Sequence, residues 1–309
     1  MKAEKRSDGQ KENKKRAVVI SNTLESIYNF RYEIVEALAK EMDVLLLTPM
    51  EEGASEVARN WQKECPFEII DTPMNRRGKN PFDDLALKRC YEALLKQWKP
   101  DIVLTYTIKP NIYAGMVCKK LGIPYMGNIT GLGTAFKGLG ISHRLVRRIA
   151  VMMYRHSLDK ANVMFFQNEE NRAIFEKYGI YPRTKENRVV MVPGSGINLE
   201  DYPLLEYTPQ IQNRFLYVAR FMREKGVEEL FYAAKKMRAA YPDTEFHLAG
   251  YCVEEYEDRL KQLQEEGVLI YHGWQDSILP LLKECGCLIQ PSYHEGMSNV
   301  CLECSATGR

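Results

Sequence analysis

The sequence predicts an α/β protein built from two doubly wound domains, and three observations carry that prediction. Short apolar runs alternate with amphipathic segments along nearly the whole chain, in the order strand, helix, strand, as in a parallel sheet with helices on both faces. The alternation breaks once, over residues 193–212 (PGSGINLEDYPLLEYTPQIQ), and then restarts. The length, 309 residues, exceeds one ordinary domain and suits two with sizeable cores.

Taken in order, residues 1–16 are polar and rich in Lys and Arg, with no apolar core behind them. They read as a disordered basic tail rather than a signal peptide, with contact to an anionic membrane as the alternative. The run AVVISN after Arg16, the amphipathic stretch 28–40 and DVLLLTP from Asp43 give strand, helix and strand. Residues 67–72 predict a third strand, 81–98 a helix with Pro81 in its first turn, and 101–106 a fourth strand. Helices are expected over 110–121, 142–159 and 169–178, and strands over 124–129, 162–167 and 188–192. The first domain therefore spans 17–196, followed by a linker over 197–212 and a second domain over 213–309. In the latter, strands at 214–219, 245–249, 268–272 and 287–290 alternate with helices at 227–240, 254–266, 278–285 and 299–306. The chain ends at Arg309, where a doubly wound domain is expected to continue, so this domain is expected to be incomplete.

Composition limits the function classes. With 45% apolar and 27% charged residues and a net charge of +2, the chain reads as a globular protein with no nucleic-acid partner. Its longest apolar runs fall far short of the roughly 18 to 20 residues of a membrane-spanning helix, and the expected location is the cytoplasm. Among eight cysteines, Cys285, Cys287, Cys301 and Cys304 form two close pairs, but they fall beside a buried strand and inside a helix. There, packed reduced thiols are expected in preference to zinc.

Chemistry concentrates in PSYHEGMSNVCLECS, residues 291–305, a predicted strand-to-helix turn. The amides of Gly296, Met297, Ser298, Asn299 and Val300 lie in or near the first turn of the helix, where unpaired N–H groups and the positive dipole end favour a diphosphate. Glu295 can face a neutral, hydroxyl-rich group, and Glu303, further along the helix, can accept hydrogen bonds from a ribose diol. On its own such a pair of carboxylates reads as a solvated helix face. Upstream, Arg220 ends a predicted strand and Lys225 precedes a helix. Two fixed cations there would hold a diphosphate and stabilise the charge that develops on it as a glycosidic bond breaks, although ordinary loop cations look the same in isolation.

Glu295 and Glu303, separated by seven residues with Gly296 after the first, resemble the signature of retaining GT-B glycosyltransferases. Arg220, four residues and then Lys225-Gly226 resemble the donor site of the same family, with the Glu pair some seventy residues downstream as expected. In the first domain, residues 21–31, 105–115, 128–136 and 192–202 are similar to bacterial enzymes that extend capsule, exopolysaccharide, lipopolysaccharide or lipid-linked oligosaccharide chains. The resemblance covers residues 17–309. It implies two Rossmann-like domains facing a cleft, a sugar donor activated by a nucleoside diphosphate, expected to be UDP, and an acceptor hydroxyl on a lipid-linked or polysaccharide glycan. It also implies Arg220, Lys225 and Glu295 as catalytic groups. No metal is expected, and His294 is expected to orient the loop rather than act as a base. The loop after the first strand departs from the pattern, having no glycine; Asn22 and Thr23 stand there, and with Lys109, Thr130 and Gly131 they are the acceptor-side candidates. Two alternatives remain, a nucleotide-sugar epimerase of the same fold and a truncated, inactive remnant.

Residues 137–160 place Arg144, Arg147, Arg148 and Arg155 among Leu145, Val146, Ile149, Met152 and Met153. This predicts either a core helix with a charged outer face or a basic amphipathic helix lying on an anionic membrane at its inner face.

Overall fold

Two sheets, each with every strand pairing parallel, form the framework of the computed structural model, which describes residues 14–50, 56–76, 78, 80–132, 136, 141–181, 188–252 and 254–309. The chain divides into two compact units, Met1–Met191 and Val192–Arg309.

In the first unit the strands are β1 (Arg16–Ile20), β2 (Asp43–Thr48), β3 (Glu68–Asp71), β4 (Ile102–Tyr106), β5 (Tyr125–Ile129), β6 (Val163–Phe166) and β7 (Arg188–Met191), in the spatial order β3-β2-β1-β4-β5-β6-β7. The central strands RAVVI and DVLLLT are apolar without alternation because helices cover both faces of the sheet, and every residue after the first in each is buried. Register follows, with Val18 opposite both Leu45 and Val103. One face packs on α1 (Leu24–Glu41) and α2 (Glu56–Glu64) through Leu24, Ile27, Val35, Ala58 and Trp61. The other packs on α3 (Pro81–Trp98), α4 (Gly115–Leu121), α5 (Ile141–Leu158) and α6 (Glu169–Lys177) through Leu87, Tyr91, Val117, Val151, Tyr154 and Phe175. Each such side chain, fully buried, contributes about 1.5–3 kcal/mol.

Three local features differ from the sequence-based expectation. Helix α2 was not expected; it is short and polar, and docks through Trp61, whose ring meets Tyr28, Tyr32 and Phe67. The helix expected over 110–121 opens as a π-helical turn, Pro110–Ala114, before continuing as α4. Arg16 belongs to β1 rather than to a tail, and the Lys15 carbonyl accepts from the Asp43 amide; the rest of the expected tail, 1–13, lies outside the described residues.

The second unit has β8 (Arg214–Val218), β9 (Glu245–Ala249), β10 (Ile270–Tyr271) and β11 (Cys287–Leu288), in the order β10-β9-β8-β11. Phe246 and Leu248 pack on α7 (Val227–Ala240) and α8 (Glu254–Glu265). On the opposite face Leu216 and Ala249 meet Leu281 and Leu282 of α9 (Leu279–Glu284) and Cys304 of α10 (Asn299–Ala306). The division between units falls at Met191, and the segment expected to be a linker belongs to the second unit. Its Tyr202 and Leu205 pack against that second core, and the Leu205 amide donates to the Thr307 carbonyl.

In each sheet the first strand lies between the second and the fourth, so strand order reverses at β1/β4 in one unit and at β8/β11 in the other. Such switch points are where open α/β sheets bind ligands, beyond the carboxyl ends of the strands. The loops after β8 and β11 contain Arg220, Lys225 and Glu295; those after β1 and β4 contain Asn22, Thr23 and Lys109.

Candidate active site

The switch point of the second unit brings together the two halves of the sequence motif. Strand β8 ends at Val218, and the chain continues through exposed Arg220 into a 3-10 turn, Arg223–Lys225, ahead of α7. Strand β11 leads into the loop that ends at the Ser298 cap of α10. Three contacts join these loops. Lys225 Nζ lies 2.5 Å from Glu295 Oε1, the Tyr293 amide donates to the Glu224 carbonyl at 3.0 Å, and the Tyr293 hydroxyl donates to the Glu229 carboxylate. Gly226 permits this approach: its backbone is left-handed at φ 70°, and a Cβ there would stand 2.2 Å from the Pro291 carbonyl oxygen.

Burial works against ionisation of Glu295, but hydrogen bonds from Lys225, Ser292 and Gln290 outweigh it and hold the carboxyl below its ordinary range. Lys225 and Glu295 thus form a partly buried ion pair between the turn ahead of α7 and the loop ahead of α10. Arg220, in contrast, makes no hydrogen bond or ion pair with a described residue, so its guanidinium is available to an anion. Ser298 caps α10, its Oγ accepting from the Cys301 amide. The amides of Met297, Ser298, Asn299 and Val300 have no partner among the described residues, as expected for the first turn of a helix. These donors, with the adjacent cations, form an arrangement suited to a diphosphate.

Glu303 lies further along α10. Burial raises its pKa above the ordinary carboxyl value, and a hydrogen bond from the Tyr202 hydroxyl partly opposes the shift. Sequence reasoning missed Tyr202, which reaches the site from the segment taken as a linker. It also missed Gln290, whose amide nitrogen donates to Glu295 Oε1 and Ser292 Oγ while its oxygen accepts from Ser298 Oγ. A polar residue at the end of an otherwise apolar strand was the available signal. A further unforeseen contact fixes the loop ahead of α10: a Cβ on Gly194 would lie 2.5 Å from that of Met297, and Asn299 Nδ2 donates to the Gly196 carbonyl at 3.2 Å. His294 is half-buried in the loop. The four cysteines that suggested zinc are free thiols, and no metal-binding group of three or more His, Cys, Asp or Glu occurs among the described residues.

The acceptor-side candidates sit at the carboxyl ends of the adjacent strands β1, β4 and β5. Most are already engaged. Thr23 caps α1, accepting from the Ser26 amide at 2.9 Å, and Asn22 Oδ1 accepts from the Ser26 hydroxyl. Lys109 is held by Asp84 at 2.6 Å and by the carbonyls of Asn75 and Gly78, so in this structure it ties a loop down. Thr130 and Gly131 are half-buried, and nothing stands within 4 Å of a Cβ placed on Gly131.

Residues 212–309 match the family described as glycosyl transferases group 1, and residues 18–168 match the glycosyl transferase 4-like family. One match falls on each unit, and the first contains the whole ion-paired site. The chain is a GT-B glycosyltransferase.

A similar protein is the N,N'-diacetylbacillosaminyl-diphospho-undecaprenol alpha-1,3-N-acetylgalactosaminyltransferase of Campylobacter jejuni, 26% identical over 94% of this chain and 78% of that one. Among solved structures, sucrose-phosphate synthase of Thermosynechococcus elongatus aligns with a TM-score of 0.70 at 17% identity, covering 94% of this glycosyltransferase and 78% of the synthase. HepE of Anabaena, solved with UDP and glucose, aligns at 0.68 and 13% identity, covering 95% and 78%. These likenesses establish the fold.

Proposed function

We propose that the enzyme is a retaining glycosyltransferase that moves a sugar from a UDP-sugar to a hydroxyl of a lipid-linked or polysaccharide acceptor in cell-surface glycan synthesis. The observation that carries this reading is the Lys225–Glu295 pair, which lies where strand order reverses, in the loops that also carry Arg220 and the unpaired amides at the start of α10. The UDP-bound neighbour HepE supports the donor, and the acceptor named for the Campylobacter jejuni relative, a diphospho-undecaprenol, supports the lipid link.

In this reading Arg220, Lys225 and the α10 amides hold the diphosphate, and Glu303 accepts from the ribose hydroxyls. Glu295, with the backbone from Gly296 to Asn299, faces the sugar. The bond from the anomeric carbon to the β-phosphate oxygen breaks while the acceptor oxygen bonds to the same face of that carbon. The acceptor proton passes to the departing phosphate oxygen, so no protein base is needed. Charge building on the phosphate is met by Arg220 and Lys225, which supply what a divalent cation would otherwise supply. Activity is therefore expected to survive a chelator. Among the described residues no helix is long and apolar enough to cross a membrane, and the proposed setting is the cytoplasmic side of the membrane that presents the acceptor.

Acceptor-dependent release of UDP, with NMR assignment of the new glycosidic bond, tests the proposal. The same anomeric configuration in donor and product is expected; inversion would overturn the retaining assignment. A sugar isomer formed from the donor without acceptor would instead identify an epimerase.

Glu303 gives a second expected result. Because burial raises its pKa, its ionised form opposes folding at neutral pH, and that cost disappears below the ordinary carboxyl range. Glu303→Gln is expected to melt no lower than the parent protein. It should nonetheless bind UDP roughly 10- to 100-fold more weakly, having lost charge-assisted hydrogen bonds of about 1.5–3 kcal/mol. Thermal melts with and without UDP check both parts.

A further inference from the structure

Helix α5 has two apolar faces, and only one of them is covered. Val151, Tyr154 and Leu158 are buried against the sheet. On the other side Leu145, Val146, Ile149 and Met152 stand out in solvent, exposed by 61%, 52%, 46% and 64%. Their spacing places Leu145, Ile149 and Met152 in one stripe, with Val146 beside it. The helix is a core helix on its sheet side, as one expectation had it, but its outer face is not purely charged: these apolar residues stand there beside exposed Arg144 and Arg148. A shallow groove of about 600 Å³ runs along this stripe, walled by Leu145, Ile149, Met152, Arg148, Arg155 and Asp159.

The charges beside the stripe are mostly positive, and the one carboxylate lining the groove, Asp159, is neutralised by Lys119. No Asp or Glu occurs in α5. Arg144 and Arg148 are exposed and make no ion pair with a described residue. Arg155 is bonded to the Tyr178 carbonyl, and Arg147 Nη1 donates to the Tyr178 hydroxyl at 3.4 Å. The nearest acid along the chain, Asp159, is already paired with Lys119 at 2.8 Å.

We propose that this face of α5 docks on the surface of an anionic lipid bilayer. The charge pattern selects that occupant. Two copies meeting through this face would oppose Arg144 and Arg148 of one to those of the other, and the one carboxylate lining the groove, Asp159, is already held by Lys119. A bilayer accepts both parts at once: the apolar stripe enters the boundary between headgroups and acyl chains, and the guanidiniums meet lipid phosphates. Direction matters too. Helix α5 follows β5, so its first turns start from the carboxyl end of the sheet, the end that holds Asn22, Thr23, Lys109 and Thr130. The four exposed apolar residues lie in the first three to four turns, within about 18 Å of the helix start. A bilayer engaged there lies beside the end of the unit where an acceptor is proposed to enter.

Sedimentation with vesicles of mixed phosphatidylglycerol and phosphatidylcholine, against vesicles of phosphatidylcholine alone, tests this without donor or acceptor, so its outcome is separate from that of the proposed reaction. The protein is expected to pellet with the anionic vesicles only and to be released by high salt. Arg144→Glu with Arg148→Glu should weaken partitioning by roughly 25-fold or more, since each arginine near an anionic surface contributes about 1 kcal/mol. Leu145→Gln, Ile149→Gln and Met152→Gln together should weaken it on the order of 100-fold. All five side chains are exposed, so circular dichroism and the melting temperature should not change. The proposal is overturned if the parent protein stays in solution with anionic vesicles, if charge reversal leaves binding intact, or if light scattering shows a dimer that Met152→Gln dissociates.

Discussion

Lys225→Ala is expected to lower kcat by about 10²- to 10³-fold, the usual effect of removing one donor aimed at developing charge. The same substitution leaves Glu295 without the cation 2.5 Å away. Glu295 has a carboxyl pKa held below its ordinary value of 4.5, so its ion pair adds stability above that pH and loses it as pH falls through the depressed value. Parent and variant should therefore differ most in melting temperature at neutral pH, and the difference should shrink in acid as Glu295 takes up its proton. Initial rates of UDP release and melts across pH check the two halves independently. A variant with normal kcat would remove Lys225 from the reaction.

Gly226→Ala is expected to disrupt the site without altering any charged group. The left-handed backbone at φ 70° costs a residue with a Cβ about 1–2 kcal/mol, and the added methyl would stand 2.2 Å from the Pro291 carbonyl oxygen. Relief requires the loop that starts at Pro291 to move away from Lys225, separating the ion pair. Stability should fall by at least about 2 kcal/mol, and UDP affinity by an order of magnitude or more. Gly131→Ala provides the contrast: that position has open space around it and no left-handed backbone, so stability and UDP binding are expected to be unchanged. Denaturant titration and calorimetry on both variants make the comparison.

Much of this fold was legible in the sequence because parallel strands covered on both faces leave unbroken apolar runs such as AVVI and VLLL. Helix α2 was not legible, since EVARNWQKE is only nine residues long and mostly polar, and its apolar residues, Val57, Ala58 and Trp61, span little more than one turn. At the candidate site, Arg220, Lys225, Glu295 and Glu303 were singled out by the resemblance of their spacing to a GT-B donor motif, and the fold pairs two of them, Lys225 and Glu295. Their supporting groups could not be read this way. Gln290, Tyr202 and Gly194 act through contacts between segments far apart in the chain, and nothing local distinguishes them. Lys109 shows the converse, a cation well placed by sequence that the fold gives to Asp84. For α5, the sequence mixes arginines with apolar residues, and only packing shows which of the apolar residues the sheet covers.

Titration calorimetry of UDP decides whether the loops after β8 and β11 form one diphosphate site. The parent protein is expected to bind UDP, and Arg220→Ala with Lys225→Ala to weaken binding by on the order of 100-fold or more, two charge-assisted contacts being lost. Equal affinity in the folded double variant would contradict a diphosphate site there.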